Sequence, residues 1–252
     1  MPEDDTAMTE LLRLLQTPQI NAEIARESED SVIRALFGRW DSFDVDKLAW
    51  LAAGIDSAQY ATEHMSEAQR CGNNFELLSC ALAAVALPGL FLEFGVYSGS
   101  TIAHIAALRP HDTIYGFDSF EGLPESWREG FPKGRFALAE SELPVVCSNV
   151  ELIKGWFDRT LPSFCAAHAG KQAAFIHIDC DLYSSTQTIL AQLKPCIAPG
   201  TIIVFDEYFN YPGWQKHEYR AFREFCGSSN TVYRYIGLVP HNQQVAVRVV
   251  AV

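Results

Sequence analysis

The stretch FLEFGVYSGST, residues 91–101, decides the fold. An apolar run ends in Glu93, Gly95 follows two residues later, and Gly99 comes four residues after that. Ser100 and Thr101 then open IAHIAAL, where apolar residues recur at helical spacing. A strand that turns tightly into a helix gathers backbone N–H groups at its carboxyl end, the place where open α/β sheets bind their ligands.

The same rhythm continues outward from this point. TIYGFDSF (113–120) reads as a second strand, VELIKGWF (150–157) as a third, AFIHIDCDL (174–182) as a fourth and TIIVFDEYF (201–209) as a fifth. Helical spacing marks NFELLSCALAAVAL, which Pro88-Gly89 breaks, and also SSTQTILAQLKPCI and HEYRAFREFC. Strands alternating with helices form a parallel sheet covered on both faces. TVYRYIGL and QQVAVRVVAV are joined by too few residues for a parallel crossover, so they pair as an antiparallel hairpin. The expected fold is a doubly wound, Rossmann-like α/β sheet of five parallel strands plus a C-terminal antiparallel hairpin, over residues 75–252. Residues 1–74 read as a helical extension, with LLRLLQ and SEDSVIRALFGRW as helices and Ser28 or Ser31 as an N-cap. Such an extension suits a lid or a dimerisation arm, and a homodimer is expected. EGLPESWREGFPKGRF (121–136) has the glycine, proline and charge content of a long loop.

Composition excludes several classes. Nineteen basic against 31 acidic residues give a net charge of −12, which argues against a nucleic-acid surface or an anionic membrane. No apolar run approaches a membrane span, and MPEDDTAMTE is acidic where a signal peptide would be basic. The seven cysteines are scattered without a CxxC pair and read as apolar fillers in a reducing, cytoplasmic compartment.

The glycine turn discriminates between cofactors. A dinucleotide fingerprint needs G-x-G-x-x-G, whereas Gly95-Val96-Tyr97-Ser98-Gly99 lacks the middle glycine. No Tyr-x-x-x-Lys pair occurs, and no Gly-Lys-Ser/Thr follows the strand. S-adenosylmethionine (SAM) fits better. Its amino-acid end would meet Glu93 and the turn Gly95, Tyr97, Ser98, Gly99 and Thr101, directly or through water. Its ribose diol wants a carboxylate at the tip of the second strand, where Asp118 and Ser119 stand. Its adenine wants an apolar slot, offered by Gly155-Trp156-Phe157 at the tip of the third.

E-x-G-x-x-x-G with the tip aspartate looks like a class I SAM-dependent methyltransferase. DSFEGLP (118–124), DCDLYSST (179–186) and PGTIIVFDEY (199–208) more closely resemble the macrocin O-methyltransferase family, from about residue 75 to the C-terminus. That resemblance implies methyl transfer to a sugar hydroxyl of a small-molecule natural product, with Mg²⁺ held by Asp179 or Asp181 together with Asp206 and Glu207. Neighbouring strand ends in a parallel sheet bring these four acids together, and clustered carboxylates repel unless a cation or shared proton relieves them. The general base is then Asp179 or Asp181; a metal-free variant would use His177, Asp179 or His217. The family more usually has two aspartates where this chain has Asp206-Glu207. Tyr208, Tyr211, Trp214 and His217 would line an acceptor pocket or pack beneath the loop. His104 reads as structural, and Ser184, Ser185 and Thr186 as helix caps. A catechol-type O- or N-methyltransferase, or a non-catalytic SAM-binding protein, are the other readings of the same fold.

Overall fold

The computed structural model describes residues 42–252. The expected helices at 11–16 and 28–40, with Ser28 and Ser31, lie outside the described residues. The chain divides into two compact units. In the first, helix α1 (Val45–His64) starts behind Asp44, whose carboxylate accepts the N–H groups of Asp46 and Lys47, both at 3.2 Å. The Ser57 hydroxyl on its buried side accepts the N–H of Asn210, which belongs to the same unit. Among the described residues no helix is long and apolar enough to cross a membrane.

The second unit, His64–Phe209 with Gly213–Val252, holds an eight-stranded sheet. Its strands are β1 (Gln69–Arg70), β2 (Leu90–Phe94), β3 (Ile114–Asp118), β4 (Val150–Lys154), β5 (Ala173–Ile178), β6 (Ile202–Phe205), β7 (Val232–Leu238) and β8 (Val245–Ala251). The spatial order is β1-β7-β8-β6-β5-β2-β3-β4. The five strands from β6 to β4 are mutually parallel, as expected. The terminal hairpin is also present, with β8 lying antiparallel between β6 and β7. The sequence does not show β1, a parallel edge strand of two exposed residues inside a stretch read as helical. Every residue of β2, β5 and β6 is buried, which is why these strands read as unbroken apolar runs.

Helices cover both faces. On one face, α2 (Asn74–Ala83) packs beside α3 (Ser100–Leu108), and Leu77, Leu78, Ile102 and Ile105 meet Phe91 and Phe175 of the sheet. A reciprocal cap starts α2: Asn73 accepts the Glu76 N–H at 2.9 Å, and Glu76 accepts the Gly72 N–H at 2.7 Å. His104 settles here as a structural histidine, its Nε2 against Ser79 Oγ at 2.9 Å and its ring edge-on to Phe75. On the other face run α4 (Phe157–Ala167), α5 (Tyr183–Leu193) and α6 (Glu218–Ser229). No side chain caps α5; Ser184, Ser185 and Thr186 lie within its first turn, and Thr186 bonds back to the Leu182 carbonyl.

The chain runs outward from β2 to β3 and β4, then returns to place β5 on the other side of β2. The reversal opens a crevice at the carboxyl ends of β2 and β5, the switch point of the sheet. Residues just beyond the strands stay locked in register: Asp179 N–H bonds Phe94 O, Gly95 N–H bonds Phe117 O, Gly155 N–H bonds Asp118 O and Asp206 N–H bonds Ile178 O, at 2.8–2.9 Å. The functional side chains therefore project from a rigid edge.

Candidate active site

A cavity of about 330 Å³ lies along this edge. The strand tips supply Gly95 and Tyr97, Asp118 and Ser119, Gly155, Trp156 and Phe157, Asp179, Cys180 and Asp181, and Glu207. Residues expected to hold a cofactor and residues expected to carry out chemistry thus share one space. Its volume is within the range of small-molecule sites.

The opening glycine has a different first task from the one read in the sequence. Gly95 has φ +92°, and a Cβ there would stand 1.7 Å from the Asp179 carbonyl oxygen. It makes room for the neighbouring strand end, and only through that for a ligand. Gly99, at φ +83°, lies against Pro144 and does not line the cavity; nor does exposed Ser98. Glu93 and Thr101 are also displaced from the expected role. Both are buried, the Thr101 hydroxyl donates to Glu93 Oε1, and neither lines the cavity. The same Glu93 oxygen stands 3.4 Å from His177 Nδ1.

Asp118 is committed before any ribose arrives. Its Oδ2 accepts the N–H groups of Val96 and Tyr97, each at 2.8 Å, and its Oδ1 accepts that of Phe120 at 2.7 Å. A carboxylate offers about four lone-pair directions. Three are taken, so one is left for a ribose hydroxyl where the diol reading required two. Asp118 is thus the clamp that fixes the glycine turn as well as a ligand candidate. Tyr97 is held at φ +46°, and Phe136 and Asp181 are also left-handed, so three strained non-glycine residues border the cavity.

The acids gather as the topology requires. His177, Asp179 and Asp206 offer ligand atoms within 4.8 Å of one another. Asp181 and Glu207 stand beside them on the cavity wall. Burial, then the charges of Asp206, Asp181, Glu93 and Glu218, push Asp179 well above the usual carboxylate range. Burial, then the charges of Asp206, Asp181, Asp179 and Glu218, raise Glu207 in the same way. Burial raises Asp181 to about 7, although the Arg128 guanidinium opposes the rise. Burial works against a charge on His177, but the Glu93 carboxylate together with the charge of Asp206 raises the histidine. A surplus of crowded hard oxygen donors suits Mg²⁺, so the residues present fit that ion.

Three of the four residues expected at an acceptor pocket are elsewhere. Tyr208, Tyr211 and Trp214 are almost wholly buried and none lines the cavity; Tyr208 packs on Phe205, and Trp214 on Tyr219. The fourth, His217, is half-buried, sets its ring edge-on to Trp127, and does not line the cavity itself. The wall comes instead from the 121–136 loop, through Leu123, Trp127, Arg128, Phe131 and Phe136. Arg128 stacks on Trp127 at 3.8 Å and on Phe131 at 5.0 Å. The aromatic content of that loop was the available signal. A buried Glu218 at the start of α6 was also missed.

The sheet order and the switch-point cavity define a Rossmann-like, doubly wound α/β domain. Residues 92–208 match the family described as "Methyltransferase domain". Among curated proteins the chain is 30% identical over 159 residues to demethyldecarbamoylnovobiocin O-methyltransferase of Streptomyces niveus, covering 54% of this chain and 59% of that one. It is 31% identical over 158 residues to the 8-demethyl-8-(2,3-dimethoxy-alpha-L-rhamnosyl)-tetracenomycin-C 4'-O-methyltransferase of Streptomyces olivaceus, with the same coverage. The chain therefore spans about three fifths of the length of these relatives. These relatives bear out the resemblance to the macrocin O-methyltransferase family. Among solved structures, the calicheamicin methyltransferase CalS11 has a TM-score of 0.56 at 23% identity, covering 98% of this chain and 93% of that one. The O-methyltransferase NovP has a TM-score of 0.55 at 22% identity, covering 70% and 79%.

Proposed function

We propose that this chain is a SAM-dependent O-methyltransferase acting on a hydroxyl of a sugar or glycosylated natural product, assisted by Mg²⁺. The observation that carries the reading is the single cavity lined at once by the Gly95–Tyr97 turn, Asp118, the 155–157 slot and the acids Asp179, Asp181 and Glu207. The curated relatives, named as O-methyltransferases of demethyldecarbamoylnovobiocin and of a rhamnosyl-tetracenomycin, support the acceptor class.

When bound, SAM supplies the methyl group and Mg²⁺ lowers the pKa of the acceptor hydroxyl. The turn and Asp118 would hold the cofactor's amino-acid and ribose parts, and Trp156 with Phe157 would take its adenine. Asp179 and Asp206 would hold the ion, with Glu207 beside them. Asp181 is the general base: it faces the cavity beside the acids that would hold the ion, within reach of an acceptor hydroxyl placed there. Trp127, Phe131 and Phe136 give the acceptor an apolar face and exclude water. Alignment of acceptor and methyl group is the largest contribution such a site can make, up to roughly 7–11 kcal/mol. The N-terminal extension is proposed as a lid or dimerisation arm.

The test is methyl transfer from labelled SAM to a panel of desmethyl glycosylated antibiotics, catechols and amines, with and without Mg²⁺. Label on a sugar hydroxyl supports the reading. Label confined to catechols or amines replaces the acceptor class, and no transfer to any acceptor despite cofactor binding points to a non-catalytic binder.

A further inference from the structure

Glu218 is wholly buried at the first position of α6, among carboxylates, in none of the motifs that carry the resemblance. Its Oε2 accepts the N–H of Glu207 at 3.1 Å, and the backbone N–H of Cys180 also favours its charge. Glu207 follows the end of β6, and Cys180 follows the end of β5. Its other oxygen, Oε1, has no hydrogen-bond partner. Burying a carboxylate beside Asp181 and Asp206 is costly, and a neutral side chain would fill the space at less expense. The start of a helix offsets only part of that cost.

We propose that Glu218 is a positioning residue: its carboxyl group, held at the start of α6, accepts the N–H of Glu207 and so fixes the turn carrying Asp206 and Glu207. The inference rests on the reading of those acids as ion-holding groups. The hydrogen bond of Glu218 runs to the turn after β6, not to the turns after β2, β3 and β4 that form the cofactor half of the cavity. A displacement of about 1 Å at a reacting group can cost on the order of 100-fold in rate, so the tie has kinetic consequences.

The experiment compares wild type with Glu218→Ala, Glu218→Asp and Glu218→Gln. It reads kcat and KM for methyl transfer, Mn²⁺ binding by electron paramagnetic resonance, S-adenosylhomocysteine binding by calorimetry, and thermal unfolding. In Glu218→Ala, kcat falls about 30- to 100-fold, Mn²⁺ binds about tenfold more weakly, and S-adenosylhomocysteine affinity stays within about twofold. Glu218→Gln keeps an acceptor oxygen for the Glu207 N–H and recovers most of the lost rate. Glu218→Asp keeps the carboxyl group but is one carbon too short, and behaves like Glu218→Ala. The proposal is overturned if Glu218→Asp is fully active, or if cofactor and Mn²⁺ affinity fall together in the variants. Wild type that neither binds Mn²⁺ nor transfers methyl groups overturns the underlying reading, and the proposal with it. Should Glu218→Ala fail to fold, the contrast between Gln and Asp decides.

Discussion

Stripped of metal, the acids at the ends of β5 and β6 make the protein less stable as pH rises. Asp181 carries the clearest part of this effect. Burial lifts its carboxyl from 3.8 to about 7, with Arg128 opposing. A group whose folded pKa is raised contributes stability that is complete below its unfolded pKa and is lost as pH climbs through its folded pKa. The interval from 3.8 to about 7 corresponds to roughly 4 kcal/mol, of which roughly 3 kcal/mol is lost between pH 5 and pH 8. Asp179, Glu207 and Glu218 are raised as well and act in the same direction. For a chain of this size 1 kcal/mol moves the melting temperature by about 2–4 °C, so Asp181 alone corresponds to a fall of about 6–12 °C. The assay is thermal unfolding in chelator at pH 5 and pH 8, for wild type and Asp181→Asn, with Mg²⁺ then added at pH 8. The wild type melts lower at pH 8, Asp181→Asn removes most of that difference, and Mg²⁺ restores stability to the wild type. Equal slopes in wild type and variant would refute the reasoning.

Other outcomes follow from individual contacts. Gly95→Ala forces a Cβ to within 1.7 Å of the Asp179 carbonyl at φ +92°, and destabilises the fold by at least about 3 kcal/mol in denaturant melts. A cost under about 1 kcal/mol would show that the two strand ends do not approach as described. Asp118→Ala leaves the N–H groups of Val96, Tyr97 and Phe120 without their acceptor and weakens S-adenosylhomocysteine binding about 10- to 100-fold by calorimetry. Unchanged affinity removes Asp118 from the site. EDTA lowers methyl transfer at least about tenfold and Mg²⁺ restores it. A full rate in EDTA removes the metal from the reaction.

The parts of this fold that were legible are those where burial forces a pattern. LFLEF, AAFIHI and IIVF are apolar without interruption because helices cover both sides of each strand. Their alternation with helices then implied a parallel sheet whose neighbouring strand ends bring Asp179, Asp181, Asp206 and Glu207 together; the order of the strands came only from the structure. Strand β1 was illegible because two exposed residues carry no burial pattern. Tyr208, Tyr211 and Trp214 misled because an aromatic residue in a loop can face a ligand or the interior, and composition does not distinguish these. Conversely, Trp127, Phe131 and Phe136 were visible as a loop but not as a wall, since loop direction is set by tertiary contacts. Asp118 was placed correctly at its strand tip, yet its hydrogen bonds to Val96 and Tyr97 join residues 21 and 22 positions away, which no local pattern encodes. Glu218 looked like an ordinary acidic residue in a first helical turn; its burial comes from packing alone.

Calorimetric titration of the purified chain with S-adenosylhomocysteine, using NAD as the control ligand, tests the central claim most directly. Micromolar binding of S-adenosylhomocysteine, weakened in Asp118→Ala, with no binding of NAD is the result expected of the cavity at the β2–β5 switch point. Binding of NAD with none of S-adenosylhomocysteine would contradict the assignment of that cavity and the function built on it.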